Sequence, residues 1–94
     1  MTSRLTHLKI ENNYDETHSL PPSVKILEIN VNDTNFISVP HVEILKLKIN
    51  VRDTKIESDS LKKIILVKAE EIRNIRSYPS GCILVDYYGN RLRL

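Results

Sequence analysis

Apolar and polar residues alternate in short bursts that recur along the chain. Leu5, Leu8 and Ile10 are followed by Asn13, and Val24, Leu27 and Ile29 by Asn32. Val42, Leu45 and Leu47 are followed by Asn50, and Leu61, Ile64 and Leu66 by Ala69. The shared pattern is L-x-x-L-x-L-x-x-N, with the anchors Leu8, Leu27, Leu45 and Ile64 spaced 19, 18 and 19 residues apart. A further step of 19 reaches Ile83, with Val85 two positions on. Strict alternation is the period of a strand with one buried face. A strand this short cannot bury that face alone, and stacking successive copies side by side solves the problem, which is the logic of a solenoid. The repeats fall near 5–23, 24–41, 42–60, 61–79 and 80–94, and they make a single domain over 1–94.

The connecting segments fill in the coil. An asparagine leaving each strand has an amide that both donates and accepts, so Asn13, Asn32 and Asn50 are expected to form a buried ladder bonded to loop backbone. Ala69 breaks that ladder, and the coil it ends should close differently. "SLPPS" (19–23), "SVPH" (38–41) and "SYPS" (77–80) place proline just before a strand, where a fixed φ and a missing N–H suit an extended turn. Ile37, Ile56 and Ile75 fall at matching places in the arcs and are expected to point inward as a second wall of the core. Residues 60–75, "SLKKIILVKAEEIRNI", also satisfy helical spacing, but the β-branched run "IILV" sits in register with the earlier strands, so a strand is the better reading. At the end, "CILVDYYGNRLRL" alternates on both sides of "YGN". It is able to fold back as a hairpin turning at Gly89–Asn90, with Leu92 and Leu94 on the last coil. The first repeat begins at residue 5, so the N-terminal edge of the stack is expected to be bare.

This pattern resembles the leucine-rich repeat superfamily, and within it the short variant known as the FNIP repeat. "LTHLKIENNYD" (5–15) followed by "SLPPSVKILEI" (19–29) carries the resemblance, with Tyr14–Asp15 where the family has Phe-Asn and Leu20–Pro21 where it has Ile-Pro or Leu-Pro. Over 30–69 the match is to a general leucine-rich pattern. The resemblance implies a β-rich solenoid: a short leucine-rich-repeat-like stack of about five parallel strands with irregular return arcs. It also implies protein binding without catalysis, in social amoebae or in the large viruses that infect them. Repeats of this family often follow an F-box, and no F-box accompanies them here.

Composition narrows the classes. Fourteen basic residues face 12 acidic ones, for a net charge of +2. Nucleic-acid binders usually cluster basic charge on one face, so no nucleic-acid partner is expected. Cys82 is the only cysteine, which excludes an internal disulfide and fits a reducing compartment. No apolar run approaches a signal peptide or the roughly 20 residues of a membrane span, so neither membrane contact nor secretion is expected. A cytoplasmic protein, in the host cytoplasm or the virion if viral, is the expected location. Isoleucine occurs 12 times and alanine once, a bias of AT-rich genomes.

Candidate chemistry is sparse. His7 and Cys82 occupy the same strand column four steps apart, roughly 19 Å at about 4.8 Å per step, too far to share a metal. His18 and His41 lie in arcs. The adjacent carboxylates of "AEEIR" (69–73) do not converge as an acid–base pair. "NDT" (32–34) matches a glycosylation sequon that is silent inside a cell. The expectation is therefore no enzyme, no catalytic residues, no cofactor and no metal.

The outer face of the sheet is more informative. Its middle column reads Lys9, Glu28, Lys46, Ile65, Leu84, flanked by His7, Ile26, Ile44, Lys63, Cys82 and by Glu11, Asn30, Lys48, Val67, Asp86. Opposite charges meet twice before the column turns apolar. A contiguous exposed apolar patch marks a contact, and either a partner or the C-terminal tail covers it. The expected function is a non-enzymatic protein–protein interaction module that binds through Ile44, Lys46, Ile65, Val67 and Leu84. The alternative is a structural or assembly subunit, for example a minor virion component, that self-associates or docks through uncapped solenoid ends.

Overall fold

A computed structural model describes residues 6–13 and 22–93, with backbone alone for 11–13. Eight strands appear in chain order: β1 (His7–Asn13), β2 (Ile26–Val31), β3 (Phe36–Ser38), β4 (Ile44–Ile49), β5 (Thr54–Glu57), β6 (Lys63–Leu66), β7 (Ile75–Ser77) and β8 (Ile83–Asp86). Five of them form one parallel sheet in the order β1-β2-β4-β6-β8, and three form a second in the order β3-β5-β7. The chain thus winds as a β-solenoid of about four turns. Parallel neighbours usually need a crossover of a dozen or more residues, and here the crossover itself carries a short strand.

The register of the large sheet follows the apolar anchors. Leu8 pairs with Leu27, Leu27 with Leu45 and Leu45 with Ile64, and Ile10, Ile29, Leu47 and Leu66 form the parallel inner column. Leu27, Leu45, Leu47, Ile64 and Leu66 are all 0 % exposed. Opposite them Ile37, Ile56 and Ile75 are buried as the second wall. The arcs are more regular than expected: β3, β5 and β7 are a ladder, with Ile37 paired to Ile56 and a register shift before Ser77. β-branched residues at the inward arc positions suit a narrow core between two pleated walls. Thr54, the one buried polar residue among those described, donates its hydroxyl to the Val51 carbonyl at 2.7 Å, so its burial leaves nothing unpaired.

The asparagine ladder is present but sits at the surface. Asn32 and Asn50 are exposed, where burial was expected, and the amide of Asn50 donates to Asn32 Oδ1 at 3.2 Å. Both lie just past their strands, where the coil turns outward. The Asn13 side chain lies outside the described residues. The coil that ends at Ala69 does close differently. After β6 the chain forms a 3₁₀ helix, Ala69–Asn74, so the strand expected from "IILV" accounts for only the first half of that segment. β4 runs past the last paired residue of β6, which would strand the peptide groups of Ile49. Glu71 accepts the Ile49 N–H at 3.0 Å, and Asn74 donates to the Ile49 carbonyl at 2.8 Å. Two helix side chains replace the missing length of strand.

The last turn departs from the expected register by one residue. Ile64 pairs with Leu84, Ile65 with Val85 and Lys63 with Ile83. Leu84 is therefore inward and 1 % exposed, not outward as the spacing of 19 implied. Cys82 leaves the outward column and is buried. The cause is the third arc, which accommodates a 3₁₀ helix and a Pro-Ser-Gly turn with Gly81 at φ 83°. It is one residue longer than the arc before it. A slip of one exchanges the two faces of a strand.

The chain then folds back on β8, as "DYYGN" suggested. Asp86 N–H donates to the Asn90 carbonyl at 2.9 Å and Leu92 N–H to the Leu84 carbonyl at 2.8 Å, with an antiparallel bridge between Val85 and Arg91. Gly89 takes the left-handed φ of 90° that the turn requires. Leu92 packs against the core, while Leu94 lies outside the described residues. The tail thus occupies the outer edge of β8 and closes that end of the large sheet. At the other end β1 is the outermost strand of the large sheet and pairs, among the described residues, with β2 alone, as expected of the N-terminal edge, while Leu5 lies outside the described residues. No helix among the described residues is long and apolar enough to cross a membrane.

Candidate binding face

Alternation in β2, β4 and β6 places every second side chain on the outer face of the large sheet, each half-buried by its neighbours except the exposed Lys48. The corrected register defines three columns. One runs His7, Ile26, Ile44, Lys63, Ile83, and the middle one runs Lys9, Glu28, Lys46, Ile65, Val85. In the third, Asn30 pairs with Lys48, and Val67 and Tyr87 continue along the same side.

Charge organises the first half of this face. His7 Nε2 lies 2.7 Å from Glu28 Oε2, and Lys46 Nζ lies 4.0 Å from Glu28 Oε1. Each such surface pair is worth about 0.2–1 kcal/mol. A buried leucine is worth about 1.5–3 kcal/mol, so the inner columns set the register and the charges follow it. Toward β6 the face turns apolar. Ile26, Ile44, Ile65, Val67 and Ile83 all keep partial exposure. Of the residues expected to bind, Ile44, Lys46, Ile65 and Val67 share this face. Leu84 does not, and Val85, which takes its place, is only 4 % exposed.

Tyr87 was missed. The extra residue in the third arc moves Asp86 opposite Leu66 and brings Tyr87, 60 % exposed, to the side of Val67. Together with Lys9, Glu28, Lys46 and Lys48 these two residues line an open groove of about 350 Å³. The Tyr87 ring meets Tyr88 edge-on, with centroids 5.8 Å apart. The turn that presents both rings is fastened by Asp86, whose carboxylate accepts from the Tyr88 N–H at 2.9 Å, the Asn90 N–H at 2.8 Å and the Asn90 side-chain amide at 3.0 Å. The Asn90 side-chain bond, followed by its backbone bond, holds the Asp86 carboxyl below the usual carboxylate range.

Reactive chemistry has little to work with. Burial pushes the Cys82 thiol up, which keeps it protonated and a poor nucleophile. The thiol lies 3.6 Å from the Ile83 carbonyl as a donor. His41 occupies a tight surface turn at φ 67°, and His18 lies outside the described residues. Among the described residues no group of three histidine, cysteine or acidic side chains is placed to hold a metal ion.

Comparison of the chain with known protein families, curated proteins and solved structures gave no match.

Proposed function

We propose that this chain is a non-enzymatic protein-binding module that grips its partner through the outer face of the five-stranded sheet. The observation that carries the reading is the run of half-exposed Ile44, Ile65 and Val67 beside the exposed Tyr87. These residues do nothing for the core, which lies on the other side of the strands. Desolvated apolar centres with charged rims are what contact surfaces are made of, and Lys46 stands at the rim. The C-terminal tail does not account for the patch, because it runs along the edge of β8, bridging Val85 and packing Leu92 on the core, while Ile44, Ile65 and Val67 keep partial exposure. The module is read as a leucine-rich repeat of the FNIP type, acting in the cytoplasm of a host cell or within a virion. That reading draws on the resemblance of residues 5–29, of which 5 and 14–21 lie outside the described residues.

The test is Ile65→Asp, followed by thermal melting and by sedimentation or pull-down on one preparation. The variant is expected to melt within a few degrees of the parent and to lose association. Retained association in a folded variant would move the contact off this face.

A second reading, an assembly subunit that docks through an end of the solenoid, draws on the position of β7. This strand is the last of the three-stranded sheet, and such an edge is a template for another strand. A mass that rises with concentration and is unchanged by Ile65→Asp would favour it.

A further inference from the structure

We infer that the occupant of the outer face is an extended acidic peptide with apolar side chains between its carboxylates. The inference rests on the outer-face reading above and adds the chemistry of the partner.

The charge on this face is lopsided in a way the whole chain is not. Among the described side chains, the outward strand positions hold Lys9, Lys46, Lys48 and Lys63 against a single carboxylate, Glu28. Glu28 is already engaged by His7 and Lys46, so it offers little to a basic ligand. The net charge of the entire chain is only +2. Lys48 and Lys63, which Glu28 does not engage, stand on this face beside the apolar patch and complement a negative partner.

Geometry favours an extended one. Lys46 and Lys48 are same-side neighbours on β4, about 7 Å apart, which is also the spacing of alternate side chains in an extended peptide. Val67 and Tyr87 wall the groove between them and the apolar half of the sheet. An aliphatic or aromatic side chain entering there would contact Val67 and the Tyr87 ring while its acidic neighbours reach the lysines. A nucleic-acid strand would use the lysines but has no use for Ile44 and Ile65, which share the outer face beside the groove, and that apolar neighbourhood decides for the peptide.

The experiment selects displayed random peptides of about ten residues, roughly 33 Å when extended. Selection runs against the parent chain and against the Lys48→Glu, Tyr87→Ser and Ile65→Asp variants, each checked for folding by thermal melting. Lys48 and Tyr87 are exposed, so at least two variants keep the fold. The parent is expected to enrich peptides with Asp or Glu on either side of an apolar residue. Synthesised winners, measured by fluorescence anisotropy, should bind Lys48→Glu at least about tenfold more weakly and lose affinity in high salt. They should also weaken on Tyr87→Ser. A pool without acidic excess that still fails on Ile65→Asp or Tyr87→Ser overturns the acidic assignment and leaves the outer-face reading standing. Winners that bind folded Ile65→Asp and Tyr87→Ser unchanged overturn both. No enrichment at all, or tighter binding of a single-stranded thymidine oligonucleotide than of the best peptide, overturns the inference.

Discussion

Leu45 sits midway along the stack, fully buried, with Leu27 and Ile64 as its strand neighbours. Its replacement by alanine removes contacts on both sides and leaves a cavity that rigid sheet neighbours cannot fill. A loss of about 2–5 kcal/mol is expected, a large part of what a domain this small possesses. Chemical denaturation should show a lowered midpoint with an unchanged slope, and a midpoint equal to the parent's would contradict the core assignment. Asn50 makes the contrast. Its amide bonds Asn32 at the surface, where water replaces the lost partner, so Asn50→Ala should cost no more than about 1 kcal/mol. Glu71 is half-buried where Asn50 is exposed, and it pairs a strand N–H that no neighbouring strand reaches. Glu71→Ala is expected to cost more than Asn50→Ala in the same denaturation series. The inward apolar residues were legible in the sequence because period two is a strong signal. The depth of the asparagines was not, because a polar residue at a turn satisfies the same pattern whether it is buried or wet.

At the scale of elements, the five strands of the large sheet and the inward isoleucines of the arcs follow from the repeat. The face of the last strand does not follow from counting back nineteen residues. A better ruler was present. Pro22, Pro40 and Pro79 each stand four residues before the first outward residue of a strand, Ile26, Ile44 and Ile83. Proline fixes the turn that leads into a strand, so it keeps register with that strand even when the preceding arc changes length. Anchoring on Pro79 places Leu84 inside and Tyr87 beside Val67. The 3₁₀ helix was not legible, since its local pattern satisfied strand and helix alike.

The C-terminal turn carries its own expectation. Because the folded state holds the Asp86 carboxyl below its ordinary value, the turn's stabilisation is present above the unfolded-state value. It is lost as pH falls through the folded one. The amide resonances of Tyr88 and Asn90 should therefore move together in an acid titration, with a midpoint below that of an ordinary aspartate. A midpoint at the ordinary value would mean the carboxylate does not fasten the turn.

For the whole molecule, the fold separates two surfaces that a short solenoid can use for contact: the face of its sheet and the ends of its stack. The tail closes one end, since residues 91–92 lie antiparallel to β8 and take up part of its edge. An exposed strand edge invites pairing by main-chain bonds regardless of the side chains on the face, whereas the proposed recognition by the face would depend on Ile65 and the lysines around it. Ending the chain at Asp86 should uncover β8, including Val85 and the inward Leu84, without disturbing the paired strands upstream. The shortened chain is expected to self-associate more strongly than the full chain as concentration rises. Adding Ile65→Asp should leave that new association largely intact, because it runs through the edge. Sedimentation velocity of the four combinations, full or shortened and with or without Ile65→Asp, separates the two contributions. If Ile65→Asp abolishes the association of the shortened chain, edge and face belong to one continuous interface. If shortening changes nothing, the hairpin return is an ornament of the last turn and the end of the stack is protected by the shortness of β8 itself.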